Sequence, residues 1–204
     1  VPNVRAEFAA AGVPWEKRVG RMMEGLRLCK ALWSGEKVDW DGRWKLTNTS
    51  LDITPHQPGG PPLWCGGSAP GSLRRAGIHL DGWFPLGPNA ESIGEGWTEV
   101  QKIGEKAGRN PDKLTCAAYL TVSIDDNSDK AEERLNTYLE NYYGVPAVNM
   151  RKISACFAGP ASNVRDWLLP FAENGATHIV VRFAGNQHTH MEKFANVCGS
   201  LDQK

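Results

Sequence analysis

Pro61-Pro62-Leu63-Trp64-Cys65-Gly66-Gly67-Ser68-Ala69-Pro70-Gly71-Ser72-Leu73-Arg74-Arg75-Ala76 reads as a short apolar strand, a glycine turn and a helix opening between Ser68 and Ser72. That order leaves main-chain N–H groups and small hydroxyls at a helix N-terminus, where the positive end of the helix dipole favours an anion such as a phosphate. Gly66 and Gly67 carry no side chain that would hold a ligand away from the backbone. The pattern is neither a P-loop, which would end in Gly-Lys-Ser/Thr, nor the dinucleotide fingerprint with its spaced glycines. Two readings stay open on spacing alone: an anion site, or a tight turn in which the glycines serve geometry.

Outward from this stretch, strands alternate with helices. Asp81 to Gly87 is a second short buried strand and Glu91 to Ala107 an amphipathic helix ended by Gly108. Leu114 to Ile124 is a third strand, and Asp125-Asp126-Asn127-Ser128 turns into a helix over 129–143. Val145 to Ser154 is ambiguous, Gly159-Pro160 leads into a helix over 161–173, Thr177 to Phe183 is a fourth strand, and His190 to Cys198 a last helix. Each crossover is long enough to return the chain in parallel, so the class is α/β. Four strand–helix units leave open edges, and three things could cover them: a preceding segment, a second subunit, or an internal strand hidden in the pattern.

Before the turn, Val1 to Val13 reads as a loop. Val19, Met22, Leu26, Cys29 and Trp33 then recur at helical spacing, predicting a helix over 14–33 with this stripe in the core. Residues 37–51 alternate around Asp41-Gly42 and predict a small hairpin excursion. Residues 53–62 form a Pro- and Gly-rich surface connection, where His56 reads as a solvated side chain.

Lys plus Arg and Asp plus Glu number 23 each, so no basic excess points to nucleic acid or an anionic membrane. The apolar runs are too short to span a bilayer. Five widely spaced cysteines at 29, 65, 116, 156 and 198 predict reduced core thiols and a cytoplasmic protein. Cys65 has no neighbouring base and reads as structural. His188-Thr189-His190, placed in a loop before the last helix, lacks a third ligand nearby, so no metal site is assigned. Asp125-Asp126 is read as turn and cap, and Glu132-Glu133 as a solvated helix face. Arg182, between apolar neighbours in the last strand, would either face an anion or pair with a carboxylate across the sheet.

Glu7-Phe8 with Gly12-Val13-Pro14, Arg18 and Glu24 before Ala31-Leu32-Trp33-Ser34-Gly35, and Asp41-Gly42-Arg43-Trp44 form one set of marks. Leu63 to Ser68, Asp81 to Pro85, and Ala107-Gly108-Arg109-Asn110-Pro111 form another. In order and spacing they resemble the luciferase-like monooxygenase superfamily, in particular its branch dependent on the deazaflavin coenzyme F420. The resemblance implies a (β/α)8 barrel of which residues 1–204 form a single partial domain equivalent to strands 5–8, without the N-terminal half. It implies ligands over the C-terminal strand ends. By the same resemblance, Gly67, Ser68 and Gly71 match positions around the cofactor phosphate, and Cys65 and Pro85 positions facing the ring system. With Gly66, Ala69 and Ser72, they make up the expected cofactor turn.

The implied activity is hydride transfer between F420 and a small organic substrate. The alternatives are an FMN-dependent monooxygenase supplied with reduced flavin, or a non-catalytic half-barrel that dimerises as a homo-oligomer. The residues beside the reactive face belong to the first four strands in this superfamily, so no catalytic residue is assigned.

Overall fold

The computed structural model describes residues 5–199, and its contacts divide the chain into two compact units, Val1–Pro61 and Pro62–Lys204. In the first unit, helix α1 (Arg5–Ala10) occupies part of the stretch expected as loop. A short 3-10 turn (Trp15–Lys17) then enters α2 (Arg18–Leu32). The antiparallel hairpin β1 (Val38–Asp41) and β2 (Lys45–Thr49) lies within the excursion predicted at 37–51.

The stripe expected to line the core does not do so. Met22 and Cys29 are exposed, and the buried positions of α2 are Glu24 and Leu28. Apolar spacing could not anticipate a buried acid. Glu24 pairs with Arg43 and accepts hydrogen bonds from the Arg43 backbone N–H and Trp40 Nε1, which together compensate for its loss of water. The Arg43 backbone donor, outweighing burial, holds the Glu24 carboxyl below its ordinary range.

The second unit is an α/β sheet whose strands are all parallel. Strand β3 (Trp64–Cys65) is followed by α3 (Pro70–His79), β4 (Gly82–Trp83), α4 (Ala90–Lys106) and the long β5 (Thr115–Ile124). Then come α5 (Ser128–Tyr143), α6 (Ala147–Arg151), β6 (Cys156–Gly159), α7 (Ala161–Glu173), β7 (His178–Phe183) and α8 (Gln187–Gly199). The caps are those the sequence offers: Asn89 and Asn127 accept from the N–H groups of Ser92 and Lys130.

Strand β5 organises the sheet. Gly82 and Trp83 pair with Thr115 and Cys116, while residues 117–122 of β5 pair with 178–183 of β7. Residues 121–124 also pair with 156–159 of β6, so β6 and β7 occupy opposite edges of β5. The Ala155 N–H donates to the Gly87 carbonyl at 2.7 Å, which sets β6 in line with the chain leaving β4. Strand β6, a four-residue run closed by Gly159-Pro160, lies outside the four strands the sequence predicts, and it leaves the outer edges of β3 and β7 unpaired among the described residues.

Alternation along β5 separates two faces. Leu120, Val122 and Ile124 are buried on one, Tyr119, Thr121 and Ser123 stand on the other. Trp83, Ile93 and Val100 are almost fully buried and fill the region between β4 and α4. Gly82 permits the tight β3–β4–β5 contact, because a Cβ there would lie 2.7 Å from both the Thr115 carbonyl oxygen and the Trp64 ring.

Candidate functional site

The glycine turn is pinned by three residues of the β4 segment, Asp81, Trp83 and Phe84. Asp81 accepts from the Leu63 N–H at 2.8 Å and the Phe84 N–H donates to the Cys65 carbonyl at 2.9 Å, which fixes where β3 ends. Trp83 Nε1 donates to the Gly67 carbonyl at 2.9 Å. At the far end of α3, Arg109 Nη1 donates to the carbonyls of Gly77 and Leu80 at 2.9 and 2.6 Å, satisfying C-terminal acceptors and setting a positive charge where the helix dipole is negative. Helix α3 is therefore held at both ends, and its N-terminus is fixed relative to the turn.

The turn itself is formed by backbone. Gly67 has φ +88°, a conformation that favours glycine, and its carbonyl faces Trp83. Ala69 is the N-cap of α3 without a side-chain capping bond, and Pro70 occupies the first turn. Ser72 and Leu73 donate to the Ala69 carbonyl at 2.7 and 3.2 Å. The N–H groups of Gly67, Ser68 and Gly71 have no acceptor among the described residues.

Ser68 is exposed and donates through Oγ to the Leu86 carbonyl at 3.3 Å, linking the turn to the segment after β4. Ser72 is buried, and its Oγ accepts from Arg75 at 2.9 Å. A Cβ at Gly67 would sit 3.2 Å from that hydroxyl oxygen, so substitution narrows the turn. Gly66, Gly67, Ser68, Ala69 and Gly71 are exposed, whereas Cys65 and Pro85 are buried behind them. Cys65 stands in register with Trp83, which is itself in register with Cys116.

Other candidates fall elsewhere. Cys116 is fully buried, which pushes its thiol up to about 12, and burial also raises Cys156. His188 and His190 lie inside α8, not in a loop before it. His188 is 3.2 Å from Glu192, while His190 is buried with Nδ1 2.8 Å from the Asn186 carbonyl. Burial lowers the His190 pKa, and its Nε2 lies 3.5 Å from Arg134.

Asp125 accepts from the Asn127 N–H and pairs with Arg134 at 2.6 Å; the Arg134 hydrogen bond lowers its pKa. Glu132 is not simply solvated, because Arg151 grips it with both terminal nitrogens. Arg182 pairs with no carboxylate among the described residues. It donates to the Tyr143 hydroxyl at 2.9 Å and to Thr121 Oγ1 at 2.7 Å.

Sequence reasoning did not find the tyrosines of α5 around Arg182. Tyr142 follows Tyr138 by one helical turn and Tyr143 comes next in the chain, and that clustering was the available signal.

No helix among the described residues is long and apolar enough to cross a membrane. Residues 3–197 match the luciferase-like monooxygenase family, and the chain belongs to that family. Among curated proteins it is similar to phthiodiolone/phenolphthiodiolone dimycocerosates ketoreductase of Mycobacterium tuberculosis, 31% identical over 130 residues, covering 62% of this chain and 34% of the relative. It is also similar to 5,10-methylenetetrahydromethanopterin reductase of Methanolobus tindarius, 28% identical over 132 residues, covering 64% of this chain and 40% of that protein. The matches thus span a little over a third of these relatives' own lengths. Among solved structures, an F420-dependent secondary alcohol dehydrogenase with an F420-acetone adduct shares the fold at TM-score 0.74 and 18% identity, over 89% of this chain and 61% of that one. The parallel α/β order of the second unit agrees with part of a (β/α)8 barrel.

Proposed function

We propose that this member of the luciferase-like monooxygenase family takes part in hydride transfer between coenzyme F420 and a small organic substrate, with the 66–72 turn receiving the cofactor phosphate. The observation that carries the reading is the set of main-chain N–H groups at Gly67, Ser68 and Gly71, without internal acceptors, beside the N-terminus of α3. The residues fit a phosphate in two respects. The donors sit on exposed small residues, and a side chain at Gly67 would press on the Ser72 hydroxyl beside them. Gly66, Ala69 and Ser72 would shape that cradle, while Cys65 and Pro85 would back the ring system from the buried side. When bound, the deazaflavin would supply the redox chemistry, and the protein would orient it. The curated relatives it matches, a ketoreductase and a methylenetetrahydromethanopterin reductase, support a reductive reaction over oxygen insertion.

Strands β3 and β7 each pair on one edge among the described residues, and Ile179 and Val180 of β7 are exposed. This supports covering of those edges by further barrel strands or by a second chain. Free thiols at Cys29, Cys65, Cys116 and Cys156 support a reducing, cytoplasmic setting.

The test is titration of the purified chain with F420 and, separately, with FMN, followed by fluorescence. Saturable F420 binding that weakens about tenfold in Ser68→Ala, with the melting temperature unchanged, is the expected result. Preference for FMN would move the assignment to the flavin-dependent alternative. Binding of neither, together with a stable dimer, would favour a non-catalytic half-barrel.

A further inference from the structure

We infer that Arg182 binds an oxyanion on the sheet face that carries Tyr119 and Thr121, and that this oxyanion is a carboxylate of the substrate. The assignment rests on the cofactor reading above only for the word substrate; the anion site itself stands on the geometry of Arg182.

Register sets the position. Arg182 of β7 lies opposite Thr121 of β5, so the two side chains leave the sheet on one face. The guanidinium is half-buried and uses two of its five N–H donors on neutral oxygens, Tyr143 Oη and Thr121 Oγ1. Its Nε is shielded from solvent and has no acceptor. Four tyrosine rings surround it, with centroids 4.9 Å (Tyr142), 5.1 Å (Tyr119), 5.2 Å (Tyr143) and 5.5 Å (Tyr138) from the guanidinium carbon.

Aromatic faces attract a cation but leave N–H donors in its plane unsatisfied. Other arginines of this unit are treated differently: Arg134 holds Asp125, Arg151 holds Glu132, and Arg109 donates to carbonyls at the end of α3. Arg109 and Arg182 are the two of these four without a carboxylate among the described residues, but Arg109 sits at the negative end of the α3 dipole, whereas Arg182 has only two neutral hydroxyls. Removing a cation from water without an anion is costly, and an oxyanion meeting the remaining N–H of Nη1 and of Nη2 would remove the imbalance through paired, charge-assisted hydrogen bonds.

The surroundings indicate what the anion is attached to. Tyr119 packs on Phe84 with centroids 5.2 Å apart, and Phe84 on Trp64 at 6.3 Å, so an aromatic wall runs from Arg182 back to the strand that precedes Gly66. A cofactor whose phosphate sits at the Gly67 turn would have that wall beside it. The guanidinium lies at the opposite end of the wall, beyond Tyr119, where a second molecule would present its charged group. The ligand class is therefore an organic carboxylate with an apolar or aromatic body.

Benzoate and its neutral counterpart benzamide are suitable probes, titrated calorimetrically into the wild-type chain, Arg182→Gln and Arg182→Lys, with F420 titrated in parallel. Wild type should bind benzoate at least tenfold more tightly than benzamide. Arg182→Gln should abolish that preference while leaving F420 affinity unchanged, and Arg182→Lys should retain part of it. Equal binding of the two probes by wild type would overturn the inference even if neither variant folds. Loss of F420 affinity in Arg182→Gln with benzoate binding intact would also overturn it, by giving the guanidinium to the cofactor. A wild-type chain that prefers benzoate but binds no F420 would uphold the oxyanion site and refute the cofactor reading.

Discussion

Replacing Gly67 by alanine tests the cradle at its tightest point. With φ +88°, Gly67 occupies a backbone region in which a Cβ clashes with its own chain, at a cost of about 1–2 kcal/mol. The peptide cannot rotate freely to escape, because the Gly67 carbonyl is held by Trp83 Nε1 at 2.9 Å. The new methyl would also stand 3.2 Å from Ser72 Oγ, itself engaged by Arg75 at 2.9 Å, so the hydroxyl must yield by a few tenths of an ångström. A total near 2 kcal/mol corresponds to a fall in melting temperature of roughly 4–8 °C for a chain of this size. Calorimetry reads that fall. Fluorescence titration on the folded variant at low temperature should show F420 affinity reduced by more than the tenfold expected for Ser68→Ala, because the N–H groups themselves are displaced. A variant that melts and binds like wild type would refute the proposed geometry of the turn.

Two further outcomes follow from the buried titrating groups. Iodoacetamide at pH 8 should label exposed Cys29 rapidly and leave Cys116 unmodified until the chain unfolds, since burial holds the Cys116 thiol at about 12; labelling of Cys116 at the Cys29 rate would contradict its placement. Burial holds the His190 pKa below that of the unfolded chain, so the unfolded state takes up the proton first and stability should decline as pH falls below about 6.5, levelling once the folded pKa is passed. His190→Gln should flatten that part of the pH profile, and denaturant melts between pH 7.5 and 5 measure it.

Elements bounded by local chemistry were legible in the sequence. The Gly66-Gly67 turn before α3, the Asn127 cap of α5 and the hairpin at Asp41-Gly42 all depend on residues a few positions apart. What escaped depended on distant partners. Strand β6 is a strand because residues 121–124 pair with it, and nothing in Cys156-Phe157-Ala158-Gly159 announces that partner. Glu24 is buried because the Arg43 N–H, nineteen positions away, reaches it. The tyrosines of α5 acquire a partner only when the fold lays them over Arg182. For the candidate site, the turn and its small residues were readable, and the Trp83 and Arg109 bonds that hold it were not.

The most direct test of the phosphate cradle compares binding of F420 with binding of the same deazaflavin lacking its phosphate and everything beyond it. Main-chain amides gripping the phosphate predict a loss of about a hundredfold or more in the truncated molecule, and a much smaller difference in Gly67→Ala. Equal affinity of the wild-type chain for the two molecules would show that the ring, not the phosphate, carries the binding, and would contradict the account.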